Sequence, residues 1–216
     1  MPRKIKISGL NAEVPAKIKT QEIVDPKRKS IIKGALSVFK EKGYHRATVR
    51  DIAKAAKISI GSLYDYISSK EDLLYLFYEI FILTYYQEVV AITYNIKDPV
   101  KKIKSAYKTL LEVGFSLEDE ILFGWTEAKN MKKKHLKEIL KLEIELVTFF
   151  KEILEEIKTK YQIKIEDTRL AANFLVYSGM FGILRRWALK PFYTQEQIIN
   201  FLMETQLKPL LPPSEV

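Results

Sequence analysis

Cysteine is absent from all 216 residues, which excludes disulfide frameworks, thiolate zinc sites and cysteine nucleophiles. Histidine is nearly absent: His45 and His135 are the only two and lie far apart, too few to build a metal site without carboxylates from elsewhere. There is no glycine-rich phosphate loop and no His–acid spacing of the kind a nucleophile needs. Glu143 and Glu145 fall on different faces of one helical segment and are expected to be solvated. An enzyme is therefore not expected, and neither catalytic residues, nor a metal, nor a cofactor is assigned. Long apolar runs are missing as well. Charges interrupt every such run before the roughly 20 residues a membrane-spanning helix needs, and the N-terminus has no apolar signal core. A cytoplasmic chain without a membrane partner is the expectation.

What is present is unevenly placed charge. The net charge is +9, and the first 50 residues hold 13 Lys and Arg against 4 Asp and Glu, leaving 23 of each sign for the other 166. A basic end on a neutral body points to a polyanion, nucleic acid or an anionic membrane; a solubilising tail gives the same composition. Residues 1–25 mix Lys, Pro, Gly and isolated apolar side chains without a helical period and are read as a mobile basic arm.

A helix is expected over 26–42, with Asp25 as N-cap, Pro26 in its first turn and Ile32, Ala35, Leu36 and Phe39 on one face. Gly43 offers a left-handed stop. Thr48 with Asp51 three residues on reads as a capping-box variant opening a second helix to about Ala56. Lys57-Ile58-Ser59 is a three-residue turn, and Ser59 caps a third helix of about seven residues, "IGSLYDY". Ser68 or Ser69 caps a fourth, with Glu71 and Asp72 suited to its dipole. Two short helices joined by a tight turn and backed by an apolar helix make a helix-turn-helix, whose second helix enters the DNA major groove. Within it, Gly61 and Ser62 are small enough for backbone to approach bases or phosphates, Tyr64 can offer its hydroxyl to a phosphate, and Lys70 can reach the same backbone. Gly61 costs about 1 kcal/mol of helix propensity, tolerable where close approach is the purpose.

"ALSVFKEKGYHRATVRDIAKAAKIS" followed by "IGSLYDYISSKEDLL" resembles the DNA-binding domain of the tetracycline-repressor (TetR) family of bacterial regulators, over residues 27–76. The resemblance implies an all-α homodimer in which each subunit reads one half-site of a near-palindromic double-stranded operator. It implies DNA contacts from Thr48, Ser59, Ile60, Gly61, Ser62, Tyr64, Tyr66 and Lys70. Two positions depart from the family pattern. Lys57 stands where a turn glycine is usual, a conformation costing a non-glycine residue about 1–2 kcal/mol, so the turn is distorted or Lys57 contacts phosphate. Asp65 stands where His is usual, and either accepts from a cytosine amino group or pairs with Lys57 or Arg50.

The domains are read as the arm at 1–25, the DNA-binding domain at 26–72 and a helical effector and dimerisation domain at 73–216. In the last, helices are expected over about 69–94 (with Leu73, Leu74, Phe77, Phe81 and Tyr85 apolar), 99–117, a sixth capped by "SLEDE", 133–161, 166–188 and 194–209, with a break at Pro191. "AANFLVYSGMFGIL" is almost wholly apolar, and Ala172, Gly179 and Gly182 suit close helix approach across a two-fold dimer interface; the centre of the monomer is the other reading. The resemblance also implies a small-molecule effector bound within this domain, and the aromatic residues there point to a mainly apolar one, fatty acyl or aromatic; a DNA-binding dimer without an effector is the alternative. Candidate linings are Phe115, Phe123, Trp125, Phe149, Tyr177 and Phe181, with Arg185 and Arg186 able to meet an anionic group. "EDE" at 118–120 and "KKK" at 132–134 read as solvated faces.

Overall fold

A computed structural model of the chain describes residues 26–213. The arm at 1–25 and its Asp25 cap lie outside the described residues. Among the described residues there are helices and no strand, an all-α fold with an N-terminal helix-turn-helix followed by a helical domain. Two compact units divide at Phe77/Tyr78, where the sequence reading placed the boundary at 72/73.

In the first unit, α1 (Pro26–Lys42) buries Ile31, Ile32, Ala35, Val38 and Phe39, each large side chain stabilising by about 1.5–3 kcal/mol on leaving water. Gly43 ends it at φ +76°, the left-handed stop that glycine permits. Next, α2 (Val49–Ala55) opens on the expected capping box. Its C-terminus closes on α1: Ser30 Oγ donates to the Ala56 carbonyl at 2.9 Å. Gly34 permits that closeness, since a Cβ there would sit 2.7 Å from Ala56 N.

After the turn, α3 runs Ile60–Tyr64, five residues where about seven were expected; Leu63 anchors it and Ile67, beyond its end, is also buried. Helix α4 (Lys70–Thr93) begins in the first unit and continues into the second. At its start the Asp72 carboxylate accepts from Ser68 N (2.9 Å) and Ser69 N (2.8 Å), so the acid holds the serine backbone. Of the apolar positions expected in α4, Tyr85 has a side chain outside the described set.

The second unit is built around α5 (Pro99–Ser116), in which Val100, Ile103, Ala106, Tyr107, Leu110 and Leu111 are buried. It packs against α7 (Lys133–Tyr161) and α8 (Thr168–Leu184), with α6 (Glu118–Glu127) between α5 and α7 in the chain. Asp98 fastens this unit. Its carboxylate caps α5 at Lys101 N (2.9 Å) and accepts from Lys160 Nζ and Tyr161 Oη, both at 3.1 Å, which holds its carboxyl down at about 2. Ser116 was expected at the start of α6, yet Ser116 Oγ donates back to Val113 O. The acids that follow are not free: Glu118 and Asp119 pair with Arg186 and Lys190, so "EDE" is not simply a solvated face. Lys132, Lys133 and Lys134 are exposed, as expected.

The helix expected over 166–188 breaks at Arg185. A short α9 (Arg186–Leu189) follows, then α10 (Gln195–Leu202), which continues as a π turn over Met203–Leu207.

Candidate nucleic-acid interface

The capping box that starts α2 fixes one wall of the candidate site. Thr48 Oγ1 accepts from Asp51 N at 3.1 Å and donates to Asp51 Oδ2 at 2.7 Å; Thr48 N donates to the same Oδ2 at 3.1 Å. Lys42 Nζ adds a contact to Asp51 Oδ1 at 2.8 Å. The Lys42 ammonium, with Thr48, pushes the Asp51 carboxyl down to about 2. This contribution is present above the ordinary carboxylate range and is lost as pH falls towards 2. The Thr48 hydroxyl proton is thus directed at Asp51, and a phosphate oxygen must compete for it.

The second wall is α3. Ser59 Oγ accepts from Ser62 N at 3.0 Å, which spends the Ser59 hydroxyl oxygen on capping. Ile60 (37 % exposed) and Tyr64 (54 % exposed) face outward. Between the walls lies a shallow, open depression of about 370 Å³ lined by Thr48, Val49, Arg50, Ile60 and Tyr64. Gly61 lies on the exposed surface of α3, and a Cβ added there would meet only Ser59 Oγ, at an ordinary 3.8 Å. Nothing inside the unit requires glycine at that position. Ser62 and Tyr66 are half-buried.

Lys57 has φ +57°, so the left-handed turn is kept despite the missing glycine. Its side chain is exposed and has no partner among the described residues, as is true of Arg50 and Lys54. Asp65 is exposed, and neither ion pair considered for it, to Lys57 or to Arg50, is formed. Lys70 departs from expectation more sharply. Its ammonium donates to the carbonyls of Tyr44 (2.8 Å), His45 (3.2 Å) and Ala47 (3.2 Å), so its three donors are committed inside the unit rather than offered to phosphate.

Arg50 and Val49 were not singled out as contacts by the sequence reading; they come into the site because the box aims the first turn of α2 beside α3. The charge count held a hint. Residues 26–50 contain eight Lys and Arg against one acid, whereas 1–25 contain five against three, so the surplus sits mostly on α1 and the loop after it.

Residues 31–75 match the family model for bacterial regulatory proteins of the tetR family. The helix-turn-helix is that of the TetR family. The match covers α1 from Ile31 onward, α2, α3 and the start of α4. Among curated relatives, the HTH-type transcriptional regulator HbdR of Aromatoleum sp. (strain CIB) is 29 % identical over 111 residues, 51 % of this chain and 48 % of that protein. The chain spans about half the length, or less, of the curated relatives it matches. The likeness of fold is more extensive. A TetR-family regulatory protein from Rhodococcus RHA1 superposes with a TM-score of 0.73 at 20 % identity, covering 86 % of this chain and 97 % of that one. AibR, solved in complex with isovaleryl coenzyme A and operator DNA, gives 0.63 at 19 % identity, with 82 % and 95 % covered.

The seven candidate effector-site residues differ widely in burial. Phe115 is buried in the core, where Gly182 leaves room for its ring. Phe123 and Phe149 are half-buried, and Phe149 packs edge-on against Tyr86 and Phe150. Trp125, Tyr177, Phe181 and Arg185 are exposed, and the Arg185 guanidinium lies over the Trp187 ring at 5.3 Å. The small residues proposed for the dimer interface are also placed differently: Ala172 is fully buried, Gly179 faces Leu111 and Gly182 faces Phe115 and Ile198 of the same chain. They serve packing within the subunit. The outward face of α8 carries Leu170, Phe174, Tyr177 and Phe181 instead.

Glu143, expected to be solvated, is half-buried, and Tyr177 Oη donates to its Oε2 at 2.9 Å. Burial pushes its carboxyl above the usual range, outweighing the tyrosine's opposing effect. An acid whose folded value is raised is held at a cost at neutral pH, and the cost vanishes once both states are protonated. Glu143→Gln is therefore expected to raise the melting temperature at pH 7 and to leave it unchanged near pH 4, measured by circular dichroism at both values.

Proposed function

We propose that this chain is a DNA-binding transcriptional regulator, a repressor, that binds a near-palindromic operator as a homodimer and is released by a small, mainly apolar effector. The observation that carries the reading is α3 itself. It is five residues long, exposes Ile60, Gly61 and Tyr64, and holds a glycine the fold does not need, beside Arg50, Lys57 and a Tyr64 hydroxyl that have no partner among the described residues. A helix that gives up stability at an exposed position does so for something outside the chain, and bases with flanking phosphates fit this surface.

Dimerisation is supported by α8. Leu170, Phe174, Tyr177 and Phe181 recur at i, i+4, i+7 and i+11, one stripe of a helix, and Phe201 on α10 is 64 % exposed as well. Apolar stripes of this kind are covered by a second copy in two-fold assemblies. A fatty acyl or aromatic effector is supported by the aromatic second unit and by the likeness to AibR, a protein that takes isovaleryl coenzyme A. Effector and operator favour different placements of the two reading units in the dimer, so each weakens the other's binding by the same factor. Helix α4, continuous from the reading unit into the effector unit, is the lever.

The test is fluorescence anisotropy on the DNA upstream of the protein's own gene, titrated against salt, with scrambled DNA as control. A preference of about 10³-fold or more is expected, with log affinity falling by about 0.9 per phosphate neutralised for each unit of log salt. Equal binding to both DNAs at every salt concentration overturns the reading. Fatty acyl and aromatic compounds are then screened for release of the bound DNA and for a thermal shift.

A further inference from the structure

Lys70 opens α4 yet makes all its described contacts 23 to 26 residues back in the chain. Its ammonium is held by three backbone carbonyls, of Tyr44, His45 and Ala47, and lies 4.5 Å from the centre of the buried Tyr44 ring. An ammonium has three donors, and all three are used. The loop they gather, 44–47, ends at Thr48, the N-cap whose box sets the first turn of α2 and with it Val49 and Arg50 in the groove wall. The opposite wall, α3, is joined to α4 by the short segment 65–69, whose Ser68 and Ser69 amides are gathered by Asp72. Both walls are thus tied to the first turn of α4, one through Asp72 and the other through Lys70.

We infer that Lys70 is a positioning residue for sequence reading: it hooks the loop before α2 to the start of α4 and so sets the Thr48–Arg50 wall of the groove against α3, without itself touching DNA. The inference rests on the DNA-binding reading above. A lysine is suited to this task and an arginine is not, because a compact ammonium offers three tetrahedrally spread donors to three converging carbonyls, whereas a guanidinium offers a flat fork. Displacement of the first turn of α4 then moves the wall with it.

The experiment compares wild type, Lys70→Arg and Lys70→Met on operator and scrambled DNA, across a salt series, at a temperature where thermal melts show each protein folded. For both variants the expected result is a loss of discrimination by about tenfold, with affinity for scrambled DNA and its salt slope unchanged. Two results overturn the inference. One is a slope shallower by about 0.9 on both DNAs for Lys70→Met with Lys70→Arg behaving as wild type, which marks a phosphate contact. The other is wild-type discrimination in both variants with only a lowered melting temperature, which marks a purely structural tie. Should Lys70→Met melt below the assay temperature, Lys70→Arg decides alone, since it keeps the charge and loses only the hook geometry. Failure of the wild type itself to prefer operator DNA is a different outcome and rejects the DNA-binding reading.

Discussion

Phe174→Glu is expected to leave the protein monomeric at concentrations where the wild type sediments as a dimer, and to weaken operator binding by about 100-fold or more. Phe174 is 63 % exposed in the single chain, so folding of the subunit does not depend on it. A two-fold interface uses each residue twice. Losing the burial of two phenylalanines at about 1.5–3 kcal/mol each removes about 3–6 kcal/mol, a factor of roughly 10² to 10⁴ in the dimer dissociation constant. The introduced carboxylates add the cost of desolvating charge where the stripe was to be covered. A dimer reads two half-sites at once, so the loss passes to DNA affinity through effective concentration. Ile92→Glu is the control: Ile92 is 54 % exposed but sits on a different helix, α4, and its replacement is expected to leave the dimer intact. Sedimentation velocity decides the matter, and a dimeric Phe174→Glu protein would place the interface elsewhere.

The second large effect sets two glycines against each other. At Gly34 a Cβ meets Ala56 N at 2.7 Å and Ala56 Cα and Cβ at 3.0 Å. Backbone cannot rotate aside, so Gly34→Ala must push α1 from α2. Overpacking of this kind costs about 1–3 kcal/mol or more, against a return of about 1 kcal/mol in helix propensity. The first unit is expected to melt several degrees lower, at about 4–8 °C per kcal/mol for a domain of its size. Gly61→Ala should do the reverse to stability, raising it by up to about 1 kcal/mol, because the added methyl meets only Ser59 Oγ at 3.8 Å. Its operator affinity should nevertheless fall, by about 1–3 kcal/mol, the scale of one disrupted base-pair contact. Urea melts and anisotropy on the same two proteins read both signs. Wild-type affinity in Gly61→Ala would show that α3 does not approach DNA closely.

The features read correctly from the sequence are those whose causes lie within four residues. Thr48 and Asp51 form their box, Ser59 caps α3, and Gly43 turns left-handed, because each depends on a side chain or φ angle next to the helix end it controls. The five-residue length of α3 was harder to read, since Leu63 and Ile67 are both buried and keep the helical period past the point where the helix ends. The tie that Lys70 makes was illegible for the opposite reason. Its local neighbourhood is a helix start just after α3, whereas its partners stand 23 to 26 residues away.

The second unit shows the same division. Its helices were legible, apart from the break at Arg185, because α5, α7 and α10 have apolar faces with polar ones opposite. The direction in which the apolar α8 turns was not legible, for a helix without a polar face carries no signal of which side is covered. Only packing against α5 and α7 decided that Ala172, Leu175 and Gly182 go inward while Phe174, Tyr177 and Phe181 remain outside. By itself, then, the sequence determined the helical class and a helix-turn-helix of the TetR kind, since these rest on local caps, periodicity and an ordered motif. The tertiary structure decided which cations are spent and which are free, which glycine is needed for packing, and which aromatics line the core. Those outcomes depend on groups distant in the chain meeting in space.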